Sequence, residues 1–486
     1  MLLVKGGLMM RLRSGSIASW TLPLSAVFVI VVALVGCSAQ FSNAFQGISA
    51  NTCSAPFPYL GSPLAATLTP PISSANISSN YFGMTIHSLA PNSSTSSTGG
   101  LTPFPPFHFS TFRLWDVAAW RILEPSKGVF DWTKMDGTIA IARKNGVRDF
   151  IFTFGNIPVW ASTNPADPCG NIGWGPGTCD PPDMAAFDDF TARMVQRYCG
   201  TVKYYEPWNE PNSKQFWGGT NAQLLEVTKH LYQIAKDPAN CGCVDGVCSP
   251  NGGTNPNQVM LPPITDPGAA SVAWLDSYLA AAGPQYPYAD IASFHGYGAT
   301  NPEDIVAGVQ LLKLTLAKYG LADRQLWNTE ASWGPETSEL GEQQASWLML
   351  YHIALVASGV SRFIWYAYDN CTWGTLWLGS SCRSSQGAPN STTIPGAAYG
   401  VIESWLTGAS LDHCDHYQNN LWACELHRAR GFVGWMLWSA SGTSISVPIP
   451  DAMGLTVYRD WQNNVNALPA QIIVSQMPVL LETHDI

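Results

Sequence analysis

Two carboxylates stand in the local settings that acid–base and nucleophilic chemistry need. Glu210 lies in Tyr204-Tyr205-Glu206-Pro207-Trp208-Asn209-Glu210-Pro211-Asn212, where an aromatic, apolar segment runs into polar residues punctuated by two prolines. That course places Asn209 and Glu210 just past the C-terminal end of a strand. Glu330 closes Leu326-Trp327-Asn328-Thr329-Glu330 and is followed by Ala331-Ser332-Trp333-Gly334. A protonated carboxyl that can donate to a leaving group, paired with an ionised one that can attack carbon, is what a two-step displacement requires.

Other residues fall where they could assist the pair. Arg113 is a lone cation in the apolar run Phe112-Arg113-Leu114-Trp115-Asp116; it either keeps a nearby carboxylate ionised or forms a structural ion pair. Glu206, four residues before Glu210, faces the same way by strand alternation but deeper, and is a candidate partner for Arg113. His295 and Tyr297, in Ser293-Phe294-His295-Gly296-Tyr297, are either site residues or a buried hydrogen-bonded pair. Trp365, in Phe363-Ile364-Trp365-Tyr366, either floors a binding site or packs in the core. Trp115, Trp120, Trp160, Trp208 and Trp333 are looser aromatic platforms.

The elements that must hold these residues alternate between strand-like and helix-like segments, the pattern of a parallel α/β fold. Strands are predicted at 81–87, 111–115, 149–154, 203–207, 258–261, 291–295, 325–329 and 362–366. Eight such strands make a (β/α)8 barrel, whose functional face is the C-terminal end of its strands. Phe187, Phe190, Met194 and Tyr198 recur at helical spacing, as do Ile305, Val309, Leu312, Leu316 and Tyr319. Further helices are expected at 339–358 and 396–406. The Ser-, Gly- and Pro-rich stretch 88–106 reads as an irregular first βα unit. Beyond residue 408, short alternating segments at 422–426, 432–438 and 444–447 indicate a small antiparallel β subdomain.

Asn209-Glu210-Pro211 after the fourth strand resembles the acid/base signature of glycoside hydrolase clan A, and Glu330 ends the seventh strand, where that clan carries its nucleophile. Phe112-Arg113-Leu114-Trp115, Phe130-Asp131-Trp132, Ile157-Pro158-Val159-Trp160-Ala161 and Trp208 to Asn212 together are most similar to glycoside hydrolase family 39. The irregular first βα unit and the Cys-bearing insertions near Cys169 and Cys241 depart from that family, while Trp120 to Asp136, carrying Glu124, Asp131 and Asp136, resembles the clan's structural loop after the second strand. The resemblance implies a retaining O-glycosidase with Glu210 as acid/base and Glu330 as nucleophile. It also implies Asn209 on the sugar 2-hydroxyl, and Arg113, His295, Tyr297, Trp365 and Trp115 around the substrate. Retention requires carboxyls about 5 to 5.5 Å apart, and the neighbouring carboxylate should raise Glu210. An endo-acting polysaccharide hydrolase and a non-catalytic glycan-binding lipoprotein are the alternatives.

The chain has 486 residues, 46% hydrophobic and only 12% charged, with 20 Trp and a net charge of −10. No basic run offers a phosphate backbone a partner, so nucleic acid is not expected. No dinucleotide-type glycine motif or ligand-spaced histidine cluster calls for a cofactor or metal. Lys5, Arg11 and Arg13 precede an apolar stretch over 22–35, the layout of a secretory signal. Its end, Leu34-Val35-Gly36-Cys37, resembles a lipoprotein box with Cys37 lipidated; cleavage after Ala39 is the rival. The expected organisation is a signal at 1–36, a tether at 37–79, the barrel at 80–408 and the β subdomain at 409–486. Export favours disulfides, and the expected pairs are Cys169/Cys179, Cys199/Cys241, Cys243/Cys248, Cys371/Cys382 and Cys414/Cys424, with Cys53 left over. A metal site at Cys241, Cys243 and Cys248 is the competing reading of that cluster.

Overall fold

A computed structural model describes residue 57 and residues 76–90, 102–169, 174–333, 341–379 and 390–483. Eight parallel strands, Phe82–Met84, Thr111–Arg113, Asp149–Thr153, Tyr204–Glu206, Gln258–Val259, Ile291–His295, Gln325–Ala331 and Arg362–Trp365, pair with their sequence neighbours, and the first pairs with the last. A parallel bridge between Met260 and Ile291 completes the ring between the fifth and sixth strands. The fold is thus the expected (β/α)8 barrel; six of its strands are one to four residues shorter than the sequence pattern suggested, the sixth matches, and the seventh runs two residues further, to Ala331.

Strand alternation sorts side chains into two cores. Phe112, Phe150, Phe152, Tyr205, Phe294 and Phe363 point outward and pack with the helices in one large cluster. Ile151, Met260, Ile291, Trp327 and Ile364 fill the barrel interior. Below them Arg362 bonds Thr111 and Asp149, each at 2.7 Å, with its guanidinium 4.0 Å over Trp327. Above them the interior turns polar, and the site begins there.

The helices expected from spacing form at Met184–Arg197, Ile305–Ala317, Glu342–Ala357 and Ile394–Leu406. Thr133–Lys144, Asn221–Lys236 and Ala269–Ala280 are further helices between strands. Asn221–Lys236 starts from a capping box between Thr220 and Gln223, which satisfies N–H groups the first turn leaves open. The stretch 120–136 is more than a loop: it holds a helical turn, Trp120–Leu123, and the start of Thr133–Lys144. Its acids are structural, Glu124 accepting from Trp120 Nε1 and Gly128 N, and Asp136 from Arg197 and Tyr198. Residues 85–90 and 102–110 contain no helix, as expected of an irregular first unit; the rest of that stretch lies outside the described residues.

After the barrel, a six-stranded antiparallel sheet runs in the order Ser410–His416, Leu421–Arg428, Phe432–Ser439, Val479–Glu482, Val457–Arg459, Val465–Ala467. One face joins the barrel core through Cys414, Leu426, Met436 and Leu480. The other covers a smaller core with Phe57, Tyr417, Leu437 and Leu481. Four cysteine pairs are as expected: Cys169–Cys179, Cys199–Cys241, Cys243–Cys248 and Cys414–Cys424. Pairing removes Cys241, Cys243 and Cys248 as metal ligands. Cys371 is also disulfide-bonded; Cys382, Cys37, Cys53 and the whole expected signal and tether up to residue 56 lie outside the described residues. Among the described residues no helix is long and apolar enough to cross a membrane.

Candidate active site

Arg113 organises the mouth of the barrel. Fully buried at the end of the second strand, it donates from Nε to Glu206 Oε2 (2.9 Å), from Nη1 to Glu330 Oε2 (2.5 Å) and from Nη2 to Asn209 Oδ1 (2.8 Å). Thr153 Oγ1 adds a 2.6 Å bond to Glu206 Oε2. A planar guanidinium with donors in a fixed fork can hold three acceptors at set angles, which a lysine cannot. The expected Arg113–Glu206 pairing is present, with Glu206 deeper than Glu210. Being wholly enclosed, Arg113 meets a substrate only through the groups it holds.

Glu210 sits at φ 42°, in the left-handed region that a residue with a Cβ avoids. The turn is held by Asn209 N bonding Phe154 O (3.1 Å) and by Ser213 N bonding Glu210 O (2.9 Å). Strain of this kind persists where the surroundings over-determine it, commonly at functional sites. Glu210 Oε1 lies 2.7 Å from His295 Nδ1. Burial pushes Glu210 up to about 7; Arg113 opposes the rise, and Asp266 and Glu206 add to it. Desolvation is the larger cause; the expected repulsion between the two carboxylates is present as well and raises Glu330, while Asp266 and Glu206 add to the rise at Glu210. Burial also depresses His295, to about 4, so its imidazole is neutral. With Nδ1–H donating to Glu210, the enclosed Nε2, which has no hydrogen-bond partner among the described residues, is left as an acceptor.

Glu330 reaches the interior because its strand carries an irregularity. Phe294 pairs with Asn328 but His295 with Glu330, so Thr329 is an extra residue, and the same shift appears against the eighth strand. Strict alternation from the inward Trp327 would turn Glu330 outward; the bulge brings it inward. Tyr297 OH donates to Glu330 Oε1 at 2.9 Å. Burial raises the Glu330 carboxyl, the charges of Glu210 and Asp116 add to that rise, and Arg113 opposes it. Oxygens of Glu210 and Glu330 and a nitrogen of His295 converge within 4.8 Å.

A cavity of about 630 Å³ opens above the pair, lined by Glu210, Glu330, Tyr297, Trp333, Tyr366 and Trp373 among others. The structure therefore brings together Glu210, Glu330, Asn209, Arg113, His295 and Tyr297. Two of the candidates stand apart. Trp365 faces outward with its neighbour Phe363, fully buried, its Nε1 on Gly374 O and its ring near Trp347; the next residue, Tyr366, points into the cavity instead. Trp115 packs edge-on against Trp174 and Phe216, behind the cavity wall that Phe216 forms. Trp120, Trp160 and Trp208 are likewise off the cavity lining, whereas Trp333 is on it. Alternation along the eighth strand could have selected Tyr366. Trp373, in the loop beyond that strand, is the kind of position where a barrel carries binding residues. Phe216 and Thr265 carry no such signal.

Fold and site together define a (β/α)8 barrel whose C-terminal mouth carries two converging carboxylates, from the ends of the fourth and seventh strands. No family model matches the chain, and no curated protein matches its sequence. Among solved structures it is similar to a family 39 glycoside hydrolase from the gut symbiont Bacteroides cellulosilyticus, with a TM-score of 0.59, 18% identity, and 85% of this chain and 81% of that one covered. It is similar to a glucosidase from Croceicoccus marinus at a TM-score of 0.55, 14% identity, and 87% and 97% coverage. A family 39 β-xylosidase from Caulobacter crescentus aligns at a TM-score of 0.52, 16% identity, and 85% and 98% coverage. At these identities the shared property is the fold.

Proposed function

We propose that this chain is an exported retaining glycoside hydrolase, with Glu210 as acid/base and Glu330 as nucleophile. The observation that carries the reading is that one oxygen of Glu210 and one of Glu330 lie within 4.8 Å of each other. A separation near 5 Å suits direct attack by one of them, whereas an inverting pair stands roughly 6.5–9.5 Å apart to admit water. In the first step a Glu330 oxygen attacks the anomeric carbon while the glycosidic C–O bond breaks and Glu210 protonates the departing oxygen. In the second, Glu210, now ionised, takes a proton from water, which attacks the same carbon and releases Glu330.

The surroundings fit these roles. The His295 Nδ1–H bond occupies Glu210 Oε1, leaving the acidic proton to Oε2. Arg113 and Tyr297 donate to Glu330 and favour its ionised form against burial. With Oδ1 committed to Arg113, Asn209 has its NH2 to offer a sugar 2-hydroxyl, a bond that strengthens in the oxocarbenium-like transition state. The aromatic walls suit the C–H faces of sugar rings. Paired cysteines fit an oxidising compartment and so support export; lipidation at Cys37 is the anchoring form of that proposal.

The test is turnover of an aryl glycoside panel, beginning with xylosides and glucosides because solved structures named as a xylosidase and a glucosidase share the fold. The first product is read for anomeric configuration by NMR. Retention is expected, with Glu330→Gln inactive and Glu210→Ala partly rescued by azide on activated leaving groups. Inversion, or unchanged turnover in either variant, overturns the assignment.

A further inference from the structure

A second cavity, of about 320 Å³, adjoins the catalytic one and shares the wall formed by Tyr297, Gly298 and Ala299. Its remaining lining includes Asp266, Ala269, Asp304 and Ala307. It lies on the side of the acid: Asp266 is close enough to Glu210 to raise it, and the adjacent Thr265 lines the catalytic cavity. The loop bearing both is fastened to the acid's own motif. Asn212, two residues after Glu210, accepts from Thr265 N (3.1 Å) and donates to Thr265 Oγ1 (2.8 Å) and Ser271 Oγ (3.2 Å).

We infer that this cavity is a leaving-group subsite for a neutral saccharide, so that the natural substrate carries at least one further sugar beyond the scissile bond. The inference rests on the hydrolase reading. The group that departs leaves on the side from which it is protonated, so a cavity beside Glu210 receives the aglycone and not the ring held over Glu330. Among the described residues the lining supplies acceptors and no cation: its charged residues are Asp266 and Asp304. A uronate, sulfate or phosphate is therefore disfavoured, and hydroxyl donors are matched. Asp266 already accepts from Gly268 N at Oδ1 and from Thr265 and Ser271 hydroxyls at Oδ2. A carboxylate offers about four lone-pair sites, which leaves one on Oδ1 for a sugar hydroxyl. Ala269 and Ala307 keep the floor low.

A subsite for the leaving group is also the subsite for an acceptor, so transfer measures it. The donor is the glycosyl fluoride of the sugar that the aryl panel selects; fluoride departs, Glu330 is esterified, and the ester is released to water or to an added alcohol. When an acceptor hydroxyl attacks the anomeric carbon, the ester C–O bond breaks and the hydroxyl proton passes to Glu210. Cellobiose, xylobiose and glucuronate serve as acceptors, and the ratio of transfer to hydrolysis is read for the protein and for Ala307→Trp and Ala269→Trp, both at exposed positions. The neutral disaccharides should be used saturably, glucuronate hardly at all, and each Trp variant should lower the ratio at least tenfold. An unchanged ratio in both variants, or glucuronate accepted as well as cellobiose, overturns the subsite. Absence of fluoride release in the parent protein instead overturns the hydrolase reading, and the subsite with it.

Discussion

Arg113 Nη1 stands 2.5 Å from Glu330 Oε2 while the same guanidinium holds Glu206 and Asn209. One buried cation thereby fixes the distance between Glu330 and the residue that precedes Glu210. Replacing Arg113 by Met leaves the fully buried Glu206 without its cation, with the Thr153 hydroxyl still donating to it. A loss of about 3–5 kcal/mol in unfolding free energy is expected from breaking a buried pair on one side. Glu206→Gln in the same chain should recover part of it, since that charge is then gone. Chemical denaturation of the single and double variants checks both. The catalytic effect has a definite sign: the cation favours ionised Glu330, so its removal raises that carboxyl, and the low-pH limb of kcat/KM moves to higher pH.

Glu210 carries a cost that pH exposes. Its folded value, near 7, lies above the ordinary 4.5, so the folded state favours the neutral form. Stability from this group is complete below about pH 4.5 and is lost as pH rises through 7. A shift of that size corresponds to roughly 3 kcal/mol. Glu210→Gln cannot ionise, so it should unfold at higher temperature than the parent at pH 8, with the gap closing at pH 4.5. Calorimetry at the two pH values decides it, and equal gaps would remove the electrostatic explanation.

Asp266 contributes to that same elevation, through its charge and without touching Glu210's proton. Asp266→Asn keeps an oxygen for the Thr265, Ser271 or Gly268 donors but loses the charge. Glu210 then falls, and under the proposed role of Glu210 as acid the alkaline limb of the kcat/KM profile moves from near 7 to lower pH. An alkaline limb left in place would show that Asp266 acts only in shaping its loop.

Neighbouring aromatics on the eighth strand should separate stability from turnover. Trp365→Ala empties a packed site among the helices and should cost about 3–5 kcal/mol of stability. Tyr366→Ala removes a wall of the cavity above Glu210 and Glu330 and should lower kcat/KM about tenfold, with a smaller change in melting temperature. The opposite pattern would mean the strand's two faces are exchanged.

Those two residues also show where sequence reasoning stops. Trp365 resembles a sugar floor in type and position, but only strand register says which of two adjacent aromatics faces the ligand. Glu210 was legible because its motif is local, and Arg113 because a lone cation in an apolar strand needs a partner, which the alternation of Glu206 supplied. Glu330 was legible by position at a strand's end, yet its inward direction depends on the bulge at Thr329, and nothing in Asn-Thr-Glu announces a bulge. Asp266 was out of reach: its relation to Glu210 is made by Asn212 and a loop more than fifty residues away. The helix Glu342–Ala357 was recognisable by length and composition, although it is buried on every side and has no polar face to mark its period.

Closure of the ring by its first and last strands, with Phe82 beside Phe363 and Met84 beside Trp365, sets a condition on how the chain comes into being. During synthesis the first strand has one edge that stays unpaired until some 280 further residues have been made. Open strand edges recruit other chains, and pairings this distant in sequence form late. Any truncation before residue 365 therefore yields an open sheet that should aggregate, and a newly made chain needs its edge shielded until the last strand arrives.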